Sequence, residues 1–363
     1  MLILNNKHRK RNTLKTMKAA VLYAPGNLRI DDIPVPVPGP DEVLVKVSAC
    51  GVCGSDIPRV LTQGTYHFPT IPGHEFSGKV VETGINVSKS EVGRRVAVIP
   101  LIPCRKCKLC EIGKFAQCEK YGFLGSRDDG GFAEYVKVPA ANIVHIPQEV
   151  NDETAAMLEP ISVALHVVQN ANVNWGDNVA VFGLGTIGNF IAQWAKAFGA
   201  KHVFAMDVFP EKVEIAREMG LKDAICGKES DFEYLIAEKT MGIGVDVAIE
   251  AAGSDSALAQ AISILRTEGR LGLVGRHAGD IIIKDETYEK ILRAQISIKG
   301  TWSFEFKIFP HNAWIQSIDA IINKNIITEP LITHRFPIDK TFEAIKMMDE
   351  KKELVYKILI KPQ

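Results

Sequence analysis

Four cysteines crowd into the fifteen positions CRKCKLCEIGKFAQC, Cys104 to Cys118, in a chain that has only three others. Clustered thiols serve either disulfide staples or metal ligation, and the two uses belong to different kinds of protein. A chain of 363 residues can bury enough apolar surface to fold unaided, whereas staples are the device of small secreted domains. Cys104, Cys107 and Cys110 follow one another with two residues between, and Cys118 comes after a loop containing Gly113, a spacing that suits one tetrahedral zinc ion. Four thiolates fill the coordination sphere, so this ion would hold structure and do no chemistry.

A second group of ligand-type residues lies upstream, in CGVCGSD (50–56) and GHEFSG (73–78). Catalytic zinc takes three protein ligands and keeps one position for water or substrate. Cys53 and His74 offer a thiolate and an imidazole; the carboxylate comes from Glu159, in MLEPISV, or from Glu75 beside His74. Asp56 can accept the other ring proton of His74 and so fix its tautomer. Cys50 and Cys226 read as small packing residues.

GLGTIG (183–188) follows the apolar run NVAVF directly and opens a helical pattern, the context that a dinucleotide-binding turn requires. Gly183 permits the tight turn, Gly185 lets the backbone approach a pyrophosphate, and Gly188 allows helix to pack closely on sheet, with Thr186 and Ile187 in the same turn. The phosphates would meet the positive end of the helix. Asp207 ends the next strand, where a carboxylate accepts hydrogen bonds from the adenine ribose and repels a 2′-phosphate; this favours NAD over NADP, a preference that Lys212 could soften.

Zinc beside a nicotinamide implies oxidation of an alcohol. The metal lowers the pKa of a bound hydroxyl, much as it takes that of water to about 7, and the cofactor accepts a hydride. In reverse the metal polarises a carbonyl. Ser55 can pass the proton outward, so Cys53, Ser55, His74, Glu75 and Glu159 form the candidate catalytic group.

The elements that must position these residues fall into two patterns. From Met17 to about Ala140 short alternating strands such as EVLVKVSA (42–49) and SGKVVETG (77–84) are punctuated by Gly and Pro, with the cysteine lobe (101–120) as an excursion between strands. From about residue 151 the period turns helical, and six strand candidates then alternate with helices: NVAVFG, HVFAMD, DAIC, VDVAIE, RLGLVG and ISIKGT. Ile187, Phe190, Ile191, Trp194 and Phe198 line one face of the first such helix. Apolar strands alternating with amphipathic helices predict an α/β fold whose parallel six-stranded sheet is covered on both sides. The tail (302–363) adds two helices and the strand LVYKILI.

Lys plus Arg equals Asp plus Glu at 43 each, so no charge excess draws the chain to nucleic acid, and no interleaved basic and aromatic residues support a zinc ribbon that binds it. The apolar runs fall short of the roughly 20 residues needed to cross a bilayer, so a soluble, cytoplasmic protein is expected. Residues 1–16 carry five bases and no acid; they read as a disordered leader or the product of an upstream start codon, with function beginning near Met17.

With both cysteine patterns, GHEFSG and GLGTIG in one order, the chain resembles the medium-chain, zinc-dependent alcohol and polyol dehydrogenases over essentially everything after residue 16. The resemblance implies a GroES-like catalytic domain (17–165 and 302–363), split around a Rossmann domain (166–301) with the site between them. It also implies catalytic zinc at Cys53, His74 and Glu159 with Glu75 close by, structural zinc at the four clustered cysteines, NAD, and a homodimer or homotetramer. CGSDIPR, GSRDDGGFAEYV, LEPISV, KILR and EPLITHR are most similar to members acting on a sugar-alcohol phosphate. Many members carry a relay histidine three residues after the serine; here Pro58 stands there with Arg59 next to it, so the proton must leave by Ser55 and water. Arg59, and Arg127 in GSRDDGG, are candidate contacts for a substrate phosphate, which a planar guanidinium suits. The alternatives are a free polyol such as sorbitol or iditol, threonine, or a nucleotide-binding regulator that retains only the structural zinc.

Overall fold

The computed structural model describes residues 15–227, 232–277, 279–306 and 312–362. The basic leader therefore lies outside the described residues as far as residue 14, and Thr16, assigned to it above, already begins a strand.

The chain opens with a hairpin, β1 (Thr16–Ala24) and β2 (Asn27–Pro34), then runs through β3 (Glu42–Val52), the one-turn helix α1 (Asp56–Pro58), β4 (Glu75–Thr83) and β5 (Arg95–Val98). The cysteine lobe follows, closed at its base by the short pair β6 (Leu101–Ile102) and β7 (Gly122–Phe123), with α2 (Lys108–Glu111) between. After β8 (Tyr135–Pro139) and β9 (Ile143–His145) come α3 (Asp152–Ala156) and α4 (Leu158–Asn170). Strand and helix then alternate: β10 (Asn178–Phe182), α5 (Thr186–Ala197), β11 (His202–Asp207), α6 (Pro210–Glu218), β12 (Ala224–Cys226) and α7 (Phe232–Lys239). The alternation continues through β13 (Val245–Glu250), α8 (Asp255–Ser263), β14 (Leu265–Leu273), α9 (Asp285–Arg293) and β15 (Ser297–Gly300). Helix α10 (Ala313–Ile322), β16 (Ile332–Pro337), α11 (Thr341–Glu350) and β17 (Lys357–Lys361) complete the chain.

The six strands of the alternating region form one sheet in the order β12-β11-β10-β13-β14-β15, with every neighbouring pair parallel. Its inner strands are apolar almost throughout because helices cover both faces. The chain leaves β10 towards β11 on one side and later reaches β13 on the other, so a crevice opens at the carboxyl ends of β10 and β13, and the glycine turn after β10 lies at that crevice.

The other large sheet runs β16-β17-β3-β4-β5-β9, with β8 also paired to β3. Strand β17 pairs antiparallel to β3, Leu359 opposite Gly51, so the last described residues complete a sheet begun 300 residues earlier. Strand β16 has no counterpart among the sequence expectations: ITHRFP is a polar edge strand with weak alternation, and it pairs parallel to β17. The predicted strand LVYKILI begins only at Lys357, and Leu354 to Tyr356 instead line the cleft between the sheets.

Helix α4 is the wall shared by the two halves. Leu158, Ile161 and Leu165 pack in one core with Phe190, Ile191 and Trp194 of α5 and with Trp314 and Ile318 of α10, and the Trp194 indole N–H donates to the Ile161 carbonyl at 3.1 Å. The chain after residue 302 thus stays with α4 and α5 through α10 and rejoins the first sheet only at β16. Among the described residues no helix is long and apolar enough to cross a membrane.

At the base of the lobe the buried Asn142 carboxamide donates to the carbonyls of Ile99 (2.7 Å) and Leu101 (2.8 Å). Removing it leaves two acceptors unpaired, each at a cost of about 1–3 kcal/mol. Asn142→Ala is therefore expected to lower the unfolding free energy by about 2–6 kcal/mol, read from the urea midpoint; an unchanged midpoint would refute this anchoring role.

Candidate active site

Strand register assembles the centre. Gly51 of β3 lies opposite Glu75 of β4 on one side and Leu359 of β17 on the other. Cys53 follows the end of β3 and His74 precedes the start of β4, so the two ligand motifs meet because their strands pair. Cys53 Sγ, a ring nitrogen of His74 and a carboxylate oxygen of Glu75 all lie within 4.8 Å of one another. Sulfur, imidazole and carboxylate at that spacing fit zinc. Glu159, in the first turn of α4, is buried in the same cleft wall but falls outside this triad of donors.

Every ionisable group here is tied to another. Asp56 is fully buried; it accepts the Cys53 N–H at 3.0 Å, pairs with the Arg59 guanidinium at 2.5 Å and lies 3.4 Å from His74 Nδ1. Burial alone would raise its carboxyl, but His74, Arg59 and the Cys53 amide overcome that and hold it at about 2. His74 Nδ1 faces Asp56 at 3.4 Å, the pairing expected from the sequence, at the long end of hydrogen-bond range. Burial opposes protonation of His74, yet Asp56 and Cys53 outweigh it and push the ring well above its usual range. Glu159 is raised as well, pushed by burial to about 7 against the pull of His74.

The residue that sequence reasoning missed is Lys357, buried at the head of β17. Its ammonium donates to both oxygens of Glu75, at 2.8 and 2.5 Å, and to the Val52 carbonyl at 3.1 Å. Gly51 makes room for the pair, since a β-carbon there would strike the Glu75 carboxylate and lie 3.2 Å from Lys357 Cδ. The signal available in the sequence was a lone lysine opening an apolar strand.

The triad opens into a cleft of about 980 Å³ whose walls also carry Ser55, Glu159, Thr186 and Lys212. The two motifs read separately from the sequence thus face one space. Gly183 takes φ +98° with Ala252 against it, and Gly185 faces open space, as close approach of a phosphate demands. Ile187 and Gly188 line the cleft beside Thr186. Asp207 accepts the N–H groups of Leu184 (2.8 Å) and Phe209 (3.1 Å), with Lys212 Nζ 3.4 Å away.

The two arginines differ. Arg59 lines the cleft while paired with Asp56; Arg127 lies between the rings of Tyr66 and Tyr121, 3.8 and 4.4 Å from their centres, and is not part of the cleft wall. In the lobe the four sulfurs also converge within 4.8 Å, unbridged by disulfides. The backbone N–H of Glu119 helps to bring the Cys107 thiol down to about 6, while burial pushes that of Cys110 up to about 12.

The chain matches the family models of the alcohol dehydrogenase GroES-like domain over residues 39–148 and of the zinc-binding dehydrogenases over residues 186–323. It is 34% identical to galactitol 1-phosphate 5-dehydrogenase of Escherichia coli K12 over 334 residues, covering 91% of this chain and 96% of the relative. Sorbitol dehydrogenase of Bacillus subtilis is 32% identical, over 96% and 98% of the two chains. The crystal structure of galactitol-1-phosphate dehydrogenase from Escherichia coli superposes with a TM-score of 0.88 at 33% identity, over 95% of this chain and all of that one.

A carboxyl raised to about 7 binds its proton more readily in the folded chain than in the unfolded one. Its contribution is complete below the ordinary carboxylate range and is lost as pH rises through about 7; His74, also raised, acts in the same direction. Chelator-treated protein is therefore expected to lose stability between about pH 5 and about pH 8, and Glu159→Gln to flatten that slope. Urea midpoints across this range check it, and a wild-type midpoint that stays level would contradict the burial of Glu159 in its neutral form.

Proposed function

Because the chain belongs to the zinc-dependent medium-chain alcohol and polyol dehydrogenases, we propose that it oxidises a secondary alcohol of a sugar-alcohol phosphate, galactitol 1-phosphate to tagatose 6-phosphate, with NAD as acceptor. The observation that carries this reading is the Cys53–His74–Glu75 triad opening into the same cleft as the glycine turn. Zinc held there supplies a Lewis acid that lowers the pKa of the alcohol, and NAD takes the hydride. Cys53 and His74 are the proposed fixed ligands, joined by Glu75 or Glu159, and the four lobe cysteines hold a second zinc. Asp56 orients His74, and Lys357 neutralises Glu75 so that two buried carboxylates can coexist. With Pro58 in place of the family's relay histidine, Ser55 in the cleft wall carries the proton to water. Asp207, held by two backbone N–H groups, receives the adenine ribose hydroxyls and disfavours NADP.

Arg59 is the proposed phosphate contact: Asp56 occupies one of its nitrogens and the guanidinium retains further donors at the cleft. A free polyol is the second reading, supported by the similarity to sorbitol dehydrogenases. The cysteines are unpaired, which fits a reducing compartment, and the cytoplasm is the proposed location.

We also propose a homodimer built on β15. This edge strand is exposed throughout, α9 before it buries none of its residues, and Tyr288, Leu292, Ile298 and Trp302 leave apolar surface open. Helix α9 begins with Asp285 and Glu286 and ends with Lys290 and Arg293, so an antiparallel second copy would set acidic against basic ends.

Two measurements test these assignments. Steady-state rates with NAD and with NADP should favour galactitol 1-phosphate over sorbitol and galactitol, and Arg59→Ala should raise KM for the phosphate ester by about tenfold or more with less effect on free polyols; equal efficiency on both substrates defeats the phosphate assignment. Light scattering on Ile298→Lys should give a monomer where the wild type gives a dimer, and a variant that remains dimeric excludes β15 as the interface.

A further inference from the structure

Tyr356 and Lys357 are neighbours in the chain, yet they serve opposite sides of the cleft. The Thr186 hydroxyl, on the first residue of α5, donates to the Tyr356 carbonyl at 3.1 Å. That carbonyl lies in the planar peptide unit that ends at the Lys357 Cα, so the hydroxyl and the lysine hold two ends of one rigid piece. Thr333 brackets the same unit, accepting the Tyr356 N–H at 3.2 Å and donating to the Lys357 carbonyl at 3.3 Å. The Tyr356 ring packs in a core with Leu184 and Phe190 beside the glycine turn, while Lys357 spends its three ammonium protons on Glu75 and the Val52 carbonyl. The peptide is rigid, and the lysine side chain is pinned at its far end by three hydrogen bonds.

The Thr186 hydroxyl donates to the Tyr356 carbonyl, and an anion bound at the start of α5 would compete for it. We infer that the Tyr356–Lys357 peptide couples the two sites, so that a diphosphate on the glycine turn alters the hold of Lys357 on Glu75 and thereby the affinity of the Cys53–His74–Glu75 set for its metal. The inference rests on the metal site proposed above.

ADP is the probe, because it lacks the nicotinamide; every cobalt concentration is taken as the free ion, corrected for the cobalt–ADP complex. Full-length protein, with zinc in the lobe and the Cys53 site emptied by chelation, is titrated with cobalt(II) by its thiolate charge-transfer absorbance, with and without saturating ADP. The cobalt Kd should shift by about fivefold or more, and the ADP Kd should shift by the same factor on cobalt loading. In Thr186→Val and in Lys357→Met the factor should fall towards one; should Lys357→Met fail to fold, Thr186→Val decides. Equal cobalt affinity with and without ADP overturns the coupling, and an undiminished factor in Thr186→Val overturns the route. If cobalt binds nowhere outside the lobe, the metal-site reading falls and this inference with it.

Discussion

A lysine and a glutamate are buried against each other over a glycine, and the arrangement of the sheet that holds the Cys53–His74–Glu75 cluster follows from that contact. Taking an ammonium and a carboxylate out of water costs several kcal/mol each unless their hydrogen bonds are restored. Lys357 restores all of its own, on Glu75 and on the Val52 carbonyl. The geometry requires three adjacent strands, β17, β3 and β4, and a missing side chain at Gly51 between them. The last strand must therefore return to the first sheet, and in doing so it brings the preceding residues along the cleft and against the start of α5.

The same contact separates the roles of two carboxylates a short way apart. Glu75 is matched by a fixed cation; Glu159 has only the more distant pull of His74 and Lys357 against its burial and is held near neutrality. The lobe shows the contrary design. Its four sulfurs converge on one another and the backbone amides around Cys107 favour a thiolate, so one ion would take up every donor and leave no open position.

What the sequence made legible was local. The cysteine spacing, the glycine turn and the six apolar strands each lie within a short window, and the structure forms a parallel sheet from those six segments. Cys53, His74 and Glu75 could be named because their motifs are compact, but their meeting depends on the register of β3 with β4. What stayed hidden was long-range. Lys357 lies 282 residues from the carboxylate it neutralises, the polar strand β16 exists only because β17 offers it an edge, and the Arg127 guanidinium is claimed by Tyr66 and Tyr121 rather than by the cleft. Pairings of this kind leave no periodicity to read.

The charge pairs also bear on what the cleft accepts. Three of its cations, Arg59, Lys212 and Lys357, each face a carboxylate: Asp56, Asp207 and Glu75. An anionic substrate that draws on any of these three competes with the carboxylate already there; Arg276, Lys351 and Lys352 also line the cleft. An ammonium that turns to a phosphate abandons its carboxylate, and for Lys357 that would leave Glu75 buried and uncompensated. A guanidinium has five donors in a fixed plane and can hold a carboxylate on one edge and a phosphate on the other. Of the three, Arg59 alone can therefore serve an ester phosphate without undoing the contacts of Asp56 with the Cys53 amide and His74, two of the side chains proposed to bind the metal.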